Sequence, residues 1–568
     1  MAVNTYDEVP YPSASFPQTH PLRLATMARL FGLNPASPSR CRVLELGCAD
    51  GANLLPLAEA YPESSFLGLD LSLRQIESGR ETIREAGLSN VRLEQVDLLA
   101  YDPGEDQFDY IIAHGLYSWV PDAVRERILA LCQRALTPLG VAYISYNTLP
   151  GWHMRGMIRH MTLYHASQFD HTAERVAQSR ALVRFLADSV PTTNNAYGQF
   201  LQAELAAMEQ WQDGYLRHDL LEDENRAFYF HDFIAGARRH GLQYLSEPDL
   251  SSMLAGNLAP AVQETLASFA RDLIALEQYM DFLRNRSFRM TLLVREGLTL
   301  VRGLDPRALR SCWFGAAARP ESPAPDPRPG VREFFRLANG TTFSSESALF
   351  KAMLCVLHEA RPNGLTYDQL QQQVRSRLSP QGTSLEAVTG RDREEEAICQ
   401  QAMVLYGGNL VEVLAEAPAP CGAADAHRPR TTPLMRHQAR HHPRHVTNLR
   451  HLCVPVDGFS RQVIELLDGH RDRAAVTAAL VQRRRDGVFQ VPDTGGQVVE
   501  TDTQWTDFFG SRLPAILDLL AQRHFLADAG PARFTVAPVS SGVILPSAES
   551  GTEGIPALPL SGAPGTRP

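Results

Sequence analysis

Three carboxylates stand behind successive apolar runs, at spacings that suit a nucleoside. Glu45 precedes the turn Gly47-Cys48-Ala49-Asp50-Gly51-Ala52-Asn53, Asp70 closes Ser65-Phe66-Leu67-Gly68-Leu69, and Asp97 follows Gln95-Val96. A carboxylate at 70 can accept both hydroxyls of a ribose, and one at 97 can hold an exocyclic adenine amine. Glu45 and the turn would take the other end of the ligand. Glycine at 47 and 51 lets the backbone approach a ligand closely, and free amides at the start of the following helix offer donors. The dinucleotide fingerprint G-x-G-x-x-G would need glycine at 47, 49 and 52, but 49 and 52 are alanines. No Gly-Lys-Ser/Thr follows, so a P-loop is excluded as well. An adenosyl ligand without a diphosphate remains, and S-adenosylmethionine fits. Expected cofactor contacts are Glu45, Gly47, Cys48, Ala49, Gly51, Asn53, Asp70, Leu71, Asp97, Leu98 and His114.

Transfer of a methyl group from a sulfonium is an in-line displacement that demands alignment and exclusion of water. An amine acceptor must also lose its proton, which burial beside a cation favours. Aromatic walls suit a methylene chain ending in an amine, through packing and cation-π contact worth about 0.5 to 2 kcal/mol. Tyr117, Trp119, Tyr146, Asn147 and His114 are therefore the expected catalytic residues, with Tyr11, Trp119 and Trp152 along a substrate channel. Each has a plainer reading as a core aromatic or a hydrogen-bonded structural histidine. The N-P-P-aromatic motif that grips a planar base amine is absent, which argues against methylation of nucleic-acid bases.

The elements that would position these residues alternate strand and helix. Strands are expected at 42–46, 65–70, 91–96, 108–113 and 140–146, with helices at 72–86 and 122–135, giving a parallel, doubly wound Rossmann-like sheet with right-handed crossovers. Ligands in such sheets lie beyond the carboxyl ends of the strands. Residues 1–30 form an N-terminal arm or lid and 31–150 the cofactor-binding core. Residues 151–225 are a helical insertion for dimerisation or substrate, and 226–297 carry two returning strands at 242–246 and 289–294. Residues 318–330 are expected to be a linker, 331–414 a helical, winged-helix-like domain, and 415–445 a second linker. A C-terminal domain at 446–534 and a disordered tail at 535–568 complete the chain.

The segments Glu45-Leu46-Gly47-Cys48-Ala49-Asp50-Gly51, Asp70-Leu71-Ser72 and Asp97-Leu98 resemble the first three motifs of class I S-adenosylmethionine-dependent methyltransferases. Ala49 departs from the commoner glycine. Four further segments, Tyr6 to Tyr11, His114 to Pro121, Ser145 to Trp152 and Gln278 to Arg286, resemble bacterial methyltransferases that carry a methyltransferase regulatory domain, among them rickettsial-type protein-lysine methyltransferases. The resemblance implies a methyltransferase core, helical dimerisation and middle regions and a C-terminal domain, and with them a homodimer; the family is mixed in substrate, so the acceptor does not follow from it. The leading expectation is methyl transfer to a protein amine, most concretely a lysine side chain, on a cell-surface protein before export. A small-molecule methyltransferase on the same core, or a regulatory protein that only binds the cofactor, stays open beside it.

Composition narrows the partners. A net charge of -10 over 568 residues argues against sequence-blind nucleic-acid binding. Eight scattered cysteines, without C-x-x-C, fit a reducing cytoplasm. No long apolar stretch implies membrane insertion. The histidine-rich segment Arg436-His437-Gln438-Ala439-Arg440-His441-His442-Pro443-Arg444-His445 reads as exposed linker, and no metal is expected, because its own arginines and proline are poor neighbours for a cation and no cysteine or carboxylate lies near it in sequence.

Overall fold

The computed structural model describes residues 13–378, 393–442, 444–489 and 501–528. The chain opens with helix α1 (Pro21–Leu30), started by Pro21 and by the His20 imidazole, whose Nδ1 accepts from the Leu22 amide at 3.0 Å. Then follow β1 (Arg42–Leu46), α2 (Leu55–Ala60), β2 (Ser65–Asp70), α3 (Leu73–Ala86), β3 (Val91–Gln95), β4 (Phe108–Ala113), α4 (Asp122–Ala135) and β5 (Leu136–Asn147). Helices α5 (Trp152–Ala166), α6 (Thr172–Ser189), α7 (Ala196–Glu209) and α8 (Asp213–Leu221) come next. After them run α9 (Phe230–Arg239), β6 (Leu242–Ser246), α10 (Pro260–Phe269), α11 (Leu273–Arg284) and β7 (Phe288–Arg295).

Strands β1 to β7 make one sheet in the order β3-β2-β1-β4-β5-β7-β6, parallel except for β7, which runs antiparallel to both its neighbours. The expected strands, including the two late ones, all lie in it. The reversal of order beside β1 opens a crevice at the carboxyl ends of β1 and β4, where the glycine turn lies. Period-two alternation divides the strand residues between two apolar layers. Val43, Tyr110, Ile112, Val141 and Tyr143 join one core, whereas Leu44, Ile111, Ala142, Ile144 and Tyr146 join the other. Helix α1 is apolar nearly all round because it is enclosed on both sides. The Thr26 hydroxyl accepts from the Ala415 amide and the Arg29 guanidinium donates to the Ala415 carbonyl, so the helix is sandwiched between the sheet and the later part of the chain.

Helices α5 to α8 pack around Ile158, Val176, Val183, Leu201, Met208, Leu216 and Leu220, a core of their own. The segment that follows is pinned to the sheet by one buried cation. Arg289 on β7 donates to Asp281 (2.7 and 2.9 Å) and Glu277 (2.9 Å) on α11 and to Glu247 (2.9 Å) after β6, with its guanidinium 3.8 Å above the Phe230 ring. Burial raises the Glu277 carboxyl to about 7 in spite of the arginine.

Past 297 the structure corrects three expectations. In the stretch read as a linker at 318–330, β8 (Trp313–Ala316) leads into β9 (Ala318–Pro320), which pairs with β10 (Glu333–Leu337) and through it β11 (Thr342–Ser345). Prolines at 320, 323, 325, 327 and 329 keep 321–330 irregular, but Ala318 and Arg319 are held by Leu337 and Arg336. The region read as helical also contains strands: α12 (Ala348–Glu359), β12 (Leu365–Thr366), α13 (Tyr367–Leu378), α14 (Glu394–Gly407) and β13 (Val411–Leu414), with β12 and β13 flanking β8. Residues 415–445 hold helix α15 (Pro433–His441), capped by Thr432 and docked on the sheet helices. There Glu59 accepts from the Leu434 amide at 2.8 Å, and burial lifts its carboxyl to about 7. The chain then forms β14 (His445–Thr447), β15 (Cys453–Pro455), α16 (Gly458–Leu466), α17 (Arg473–Arg485) and α18 (Asp502–Gln522). The tail at 535–568 lies outside the described residues. Among those described, no helix is long and apolar enough to cross a membrane.

Candidate active site

The turn after β1 is a cradle by its backbone. Gly47, Ala49 and Gly51 all take positive φ, at 74°, 50° and 80°. A Cβ at Gly47 would stand 3.1 Å from Leu116 and one at Gly51 3.0 Å from Leu93. Ala49 adopts the left-handed conformation that a glycine would adopt more cheaply, held there by Asp70, whose Oδ2 accepts from the Ala49 amide at 2.8 Å. The other oxygen of Asp70 accepts from the Ser72 amide at 2.8 Å. Ser72 in turn caps α3, and Gly79 on that helix packs against the Asp50 carbonyl, where an added Cβ would come within 2.3 Å. Asp70 thus joins the turn, the end of β2 and the start of α3, and burial raises its carboxyl. Cys48 is buried beneath the turn against Gly68.

Glu45 is buried at the carboxyl end of β1. Its Oε1 accepts from Asn53 Nδ2 at 2.8 Å, while Oε2 has no hydrogen-bond partner. Desolvation, with Asp70 and Asp50 nearby, pushes its carboxyl up to about 8. Asn53 is a meeting point for distant parts of the chain. Its Oδ1 accepts from the Phe16 amide at 2.9 Å and lies 2.9 Å from His451 Nε2 in the β14–β15 turn, and its Nδ2 also reaches Thr19 at 3.0 Å. The N-terminal arm and the C-terminal part therefore close one wall of the crevice.

His114 directly follows β4 and packs against the same arm. Its ring lies 4.0 Å from that of Phe16, and its Nδ1 is 2.9 Å from the Tyr143 hydroxyl and 3.3 Å from Ser145 Oγ. Burial pushes this imidazole down to about 4, so it is neutral at physiological pH and a weak base. Tyr143, Ser145 and Asn147 lie on the same face of β5 by alternation. Asn147 Nδ2 is buried with no partner, a second orphaned polar atom at the strand ends. Phe288, paired with Asn147 across β5 and β7, stands 6.1 Å from His114 and is partly exposed.

The expected aromatic residues fall elsewhere. Tyr146 and Tyr117 are buried in the other layer. Tyr146 stacks on Phe233 at 4.0 Å and its hydroxyl meets Thr291 at 3.0 Å, while Tyr117 packs on Phe228 and Phe233. Both take the core reading and sit apart from the His114 face. Trp119 and Trp152 meet edge to face at 6.3 Å, and the Trp152 indole donates to Asn225 at 3.0 Å, so this pair joins the β4–α4 loop to the helical insertion. Asp97 is exposed and caps its own loop through the Leu99 amide at 2.9 Å. Leu98 is buried beside it, and Leu71 is exposed beyond β2. Tyr11 lies outside the described residues. Phe16, Thr19, Tyr143, Ser145 and His451 are the residues that sequence reasoning missed. Alternation from Asn147 pointed to 143 and 145, but nothing local pointed to His451.

Three family models match in chain order: a methyltransferase domain at 43–140, a predicted methyltransferase regulatory domain at 212–295, and the C-terminal winged helix domain of PKMT at 427–525. Protein RP789 of Rickettsia prowazekii is 36% identical over 501 residues, which is 87% of this chain and 89% of that protein. PKMT2 from Rickettsia typhi, solved in complex with AdoHcy, is 31% identical with a TM-score of 0.80, covering 91% of this chain and all of that one. The chain belongs to the PKMT family of methyltransferases. It is an S-adenosylmethionine-dependent enzyme, and the cradle fits that cofactor, with a positive-φ turn, the Asp70 carboxylate and an orphaned acidic oxygen within one crevice. The family's winged helix comprises α15 to α18, so it begins inside the segment read as a second linker and lies after the 331–414 region where a winged helix was expected. Protein RP028 of the same rickettsia is 42% identical over 241 residues, 96% of its own length and 42% of this chain, so a shorter relative exists.

Proposed function

We propose that this PKMT-family enzyme methylates lysine side chains of proteins. The observation that carries the reading is the match to PKMT2 over the full length of that chain, winged helix included. Bound S-adenosylmethionine supplies an electrophilic methyl group. Asp70 would accept from the ribose hydroxyls, Asp97 with Leu98 would border the adenine, and Glu45 with the 47–51 turn would receive the methionine end. The acceptor amine enters over His114, Phe16 and Phe288, where Asn147 Nδ2 and the Tyr143 and Ser145 hydroxyls are neutral polar groups that orient it. With His114 neutral, the amine's proton leaves to water as the amine is desolvated. Met154, Met157, Phe282, Leu283 and Phe288 leave exposed apolar surface on the segments next to the β5 end, which suits a polypeptide more than a small solute. The self-contained bundle α5 to α8, with Tyr164 and Phe185 exposed, is the surface for a second copy of the chain.

With methyl-labelled S-adenosylmethionine and a denatured bacterial lysate, label is expected in the acid-precipitated protein and is expected to fall to background when lysines are acetylated beforehand. Label confined to the small-molecule fraction would support the alternative acceptor class. The role given to Glu45 is tested separately. Its carboxyl is protonated below pH 8 in the free enzyme, and a cationic ligand lowers its pKa, so the bound state holds fewer protons. Affinity for S-adenosylmethionine should therefore rise with pH, by up to about tenfold per unit, and level off above about 8. Calorimetry at pH 7 in buffers of different ionisation enthalpy should show close to one proton released, and Glu45→Gln should remove both effects. A pH-independent affinity would place Glu45 away from the ligand.

A further inference from the structure

Helix α15 brings two histidines of the His-rich segment against the methyltransferase sheet. His437 and His441 are four residues apart, on one face of the helix, with ring centroids 4.5 Å apart. Glu85, from α3, supplies the carboxylate that the local sequence lacks. Its Oε2 lies 2.9 Å from His437 Nδ1 and 3.6 Å from His441 Nε2, and the three donor atoms fall within 4.8 Å of one another. Two nitrogens and one oxygen around a zinc-type ion at about 2.1 Å would stand about 3.3 to 3.4 Å apart, so the observed separations bracket the requirement.

The surroundings fit as well. His437 is nearly buried while Glu85 and His441 are partly exposed, which gives one fixed ligand and an entry path. His437 Nε2 sits 3.3 Å from Thr82 Oγ1, so a metal that displaces the proton between Nδ1 and Glu85 would leave Nε2 with a hydroxyl partner for its own proton. Arg440, on the same helix, is drawn away to Glu465 at 3.1 Å, and Arg436 donates to the Thr431 carbonyl.

We propose that Glu85, His437 and His441 form a site for a divalent transition metal of the zinc class, with water in the open position, that staples the winged helix to the methyltransferase sheet. Two imidazoles and a carboxylate favour Zn2+, Co2+ or Ni2+ over Mg2+ or Ca2+. The metal ties elements about 350 residues apart in sequence, with 352 separating Glu85 from His437. The site is independent of the acceptor assigned above.

The test is titration of the chelator-treated full chain with Co2+, read by its visible d–d absorption and by displacement with Zn2+, together with thermal denaturation in Zn2+. Saturable binding of one ion and a rise in Tm are expected. His441→Ala and Glu85→Gln, both at partly exposed positions, should weaken Co2+ binding by about 100-fold and remove the Tm rise, whereas a His442→Ala, His445→Ala double change should keep both. Equal Co2+ binding by wild type and His441→Ala, or no absorption change at large metal excess, would overturn the site.

Discussion

Asp70→Ala is expected to lose about 100-fold or more in affinity for S-adenosylmethionine and AdoHcy while the chain stays folded. Two effects add. The ribose hydroxyls lose a charged acceptor, and hydrogen bonds to charged groups are worth about 1.5 to 3 kcal/mol each. The Ala49 amide also loses the oxygen that holds it at 2.8 Å, which frees a non-glycine residue from a left-handed conformation and loosens the whole 47–51 turn. Stability should fall by only about 1 to 2 kcal/mol, because Ser72 still caps α3. Adding Gly47→Arg should reduce binding to background, since a side chain there meets Leu116 at once and fills the cradle. Calorimetry for affinity and circular dichroism for folding are the measurements. An Asp70→Ala protein that binds within about threefold of wild type would remove Asp70 from the site, because a lost charged hydrogen bond costs more than that.

Arg289→Ala is expected to destabilise the protein by about 3 to 5 kcal/mol, the range for breaking a buried ion-pair network from one side. The arginine is fully buried and faces Glu247, Glu277 and Asp281, so its removal leaves three carboxylates beside one another, with Arg286 at the rim. The sign with pH follows. Burial already raises the Glu247 and Glu277 carboxyls, and without the cation they move further above their unfolded values, so the variant is penalised as pH rises through them and relieved as they protonate. Glu277, already near 7 in the intact protein, is the first to respond. Urea unfolding at pH 5 and pH 8 should show a wild-type-to-variant gap clearly larger at pH 8. A gap that does not change with pH would mean that packing on Phe230, rather than charge, is what the arginine contributes.

The sheet and the cofactor turn were legible because their signals are local. Apolar runs of strand length, glycines at 47 and 51 and an acid at or near the end of each of the first three strands need only neighbouring residues to be read. The acceptor face was half legible. Tyr146 and Asn147 are adjacent in a strand and so cannot share a face, and alternation assigns the crevice to Asn147, Ser145 and Tyr143 and the core to Tyr146. Proximity to a strand end had grouped them together. The role of Gln278 to Arg286 was visible only as a resemblance. Its meaning depends on the antiparallel return of β7 between β5 and β6, which places Asp281 against Arg289, and on the Gln278 carboxamide, which accepts from the His231 amide at 3.2 Å. His451 was out of reach, since 398 residues separate it from Asn53. The two supposed linkers were misread because proline and histidine content speaks for solvent exposure locally, whereas β9 and α15 are held by partners elsewhere in the chain.

The most direct test of the account is amino-acid analysis of the labelled product. Purified enzyme, methyl-labelled S-adenosylmethionine and denatured bacterial surface protein are incubated, and the precipitated protein is hydrolysed to free amino acids. Label should co-migrate with N-methylated lysine for the wild type and be absent with Asp70→Ala. Label in another amino acid, or label unaffected by the Asp70 change, would contradict the lysine acceptor in the first case and the cofactor site in the second.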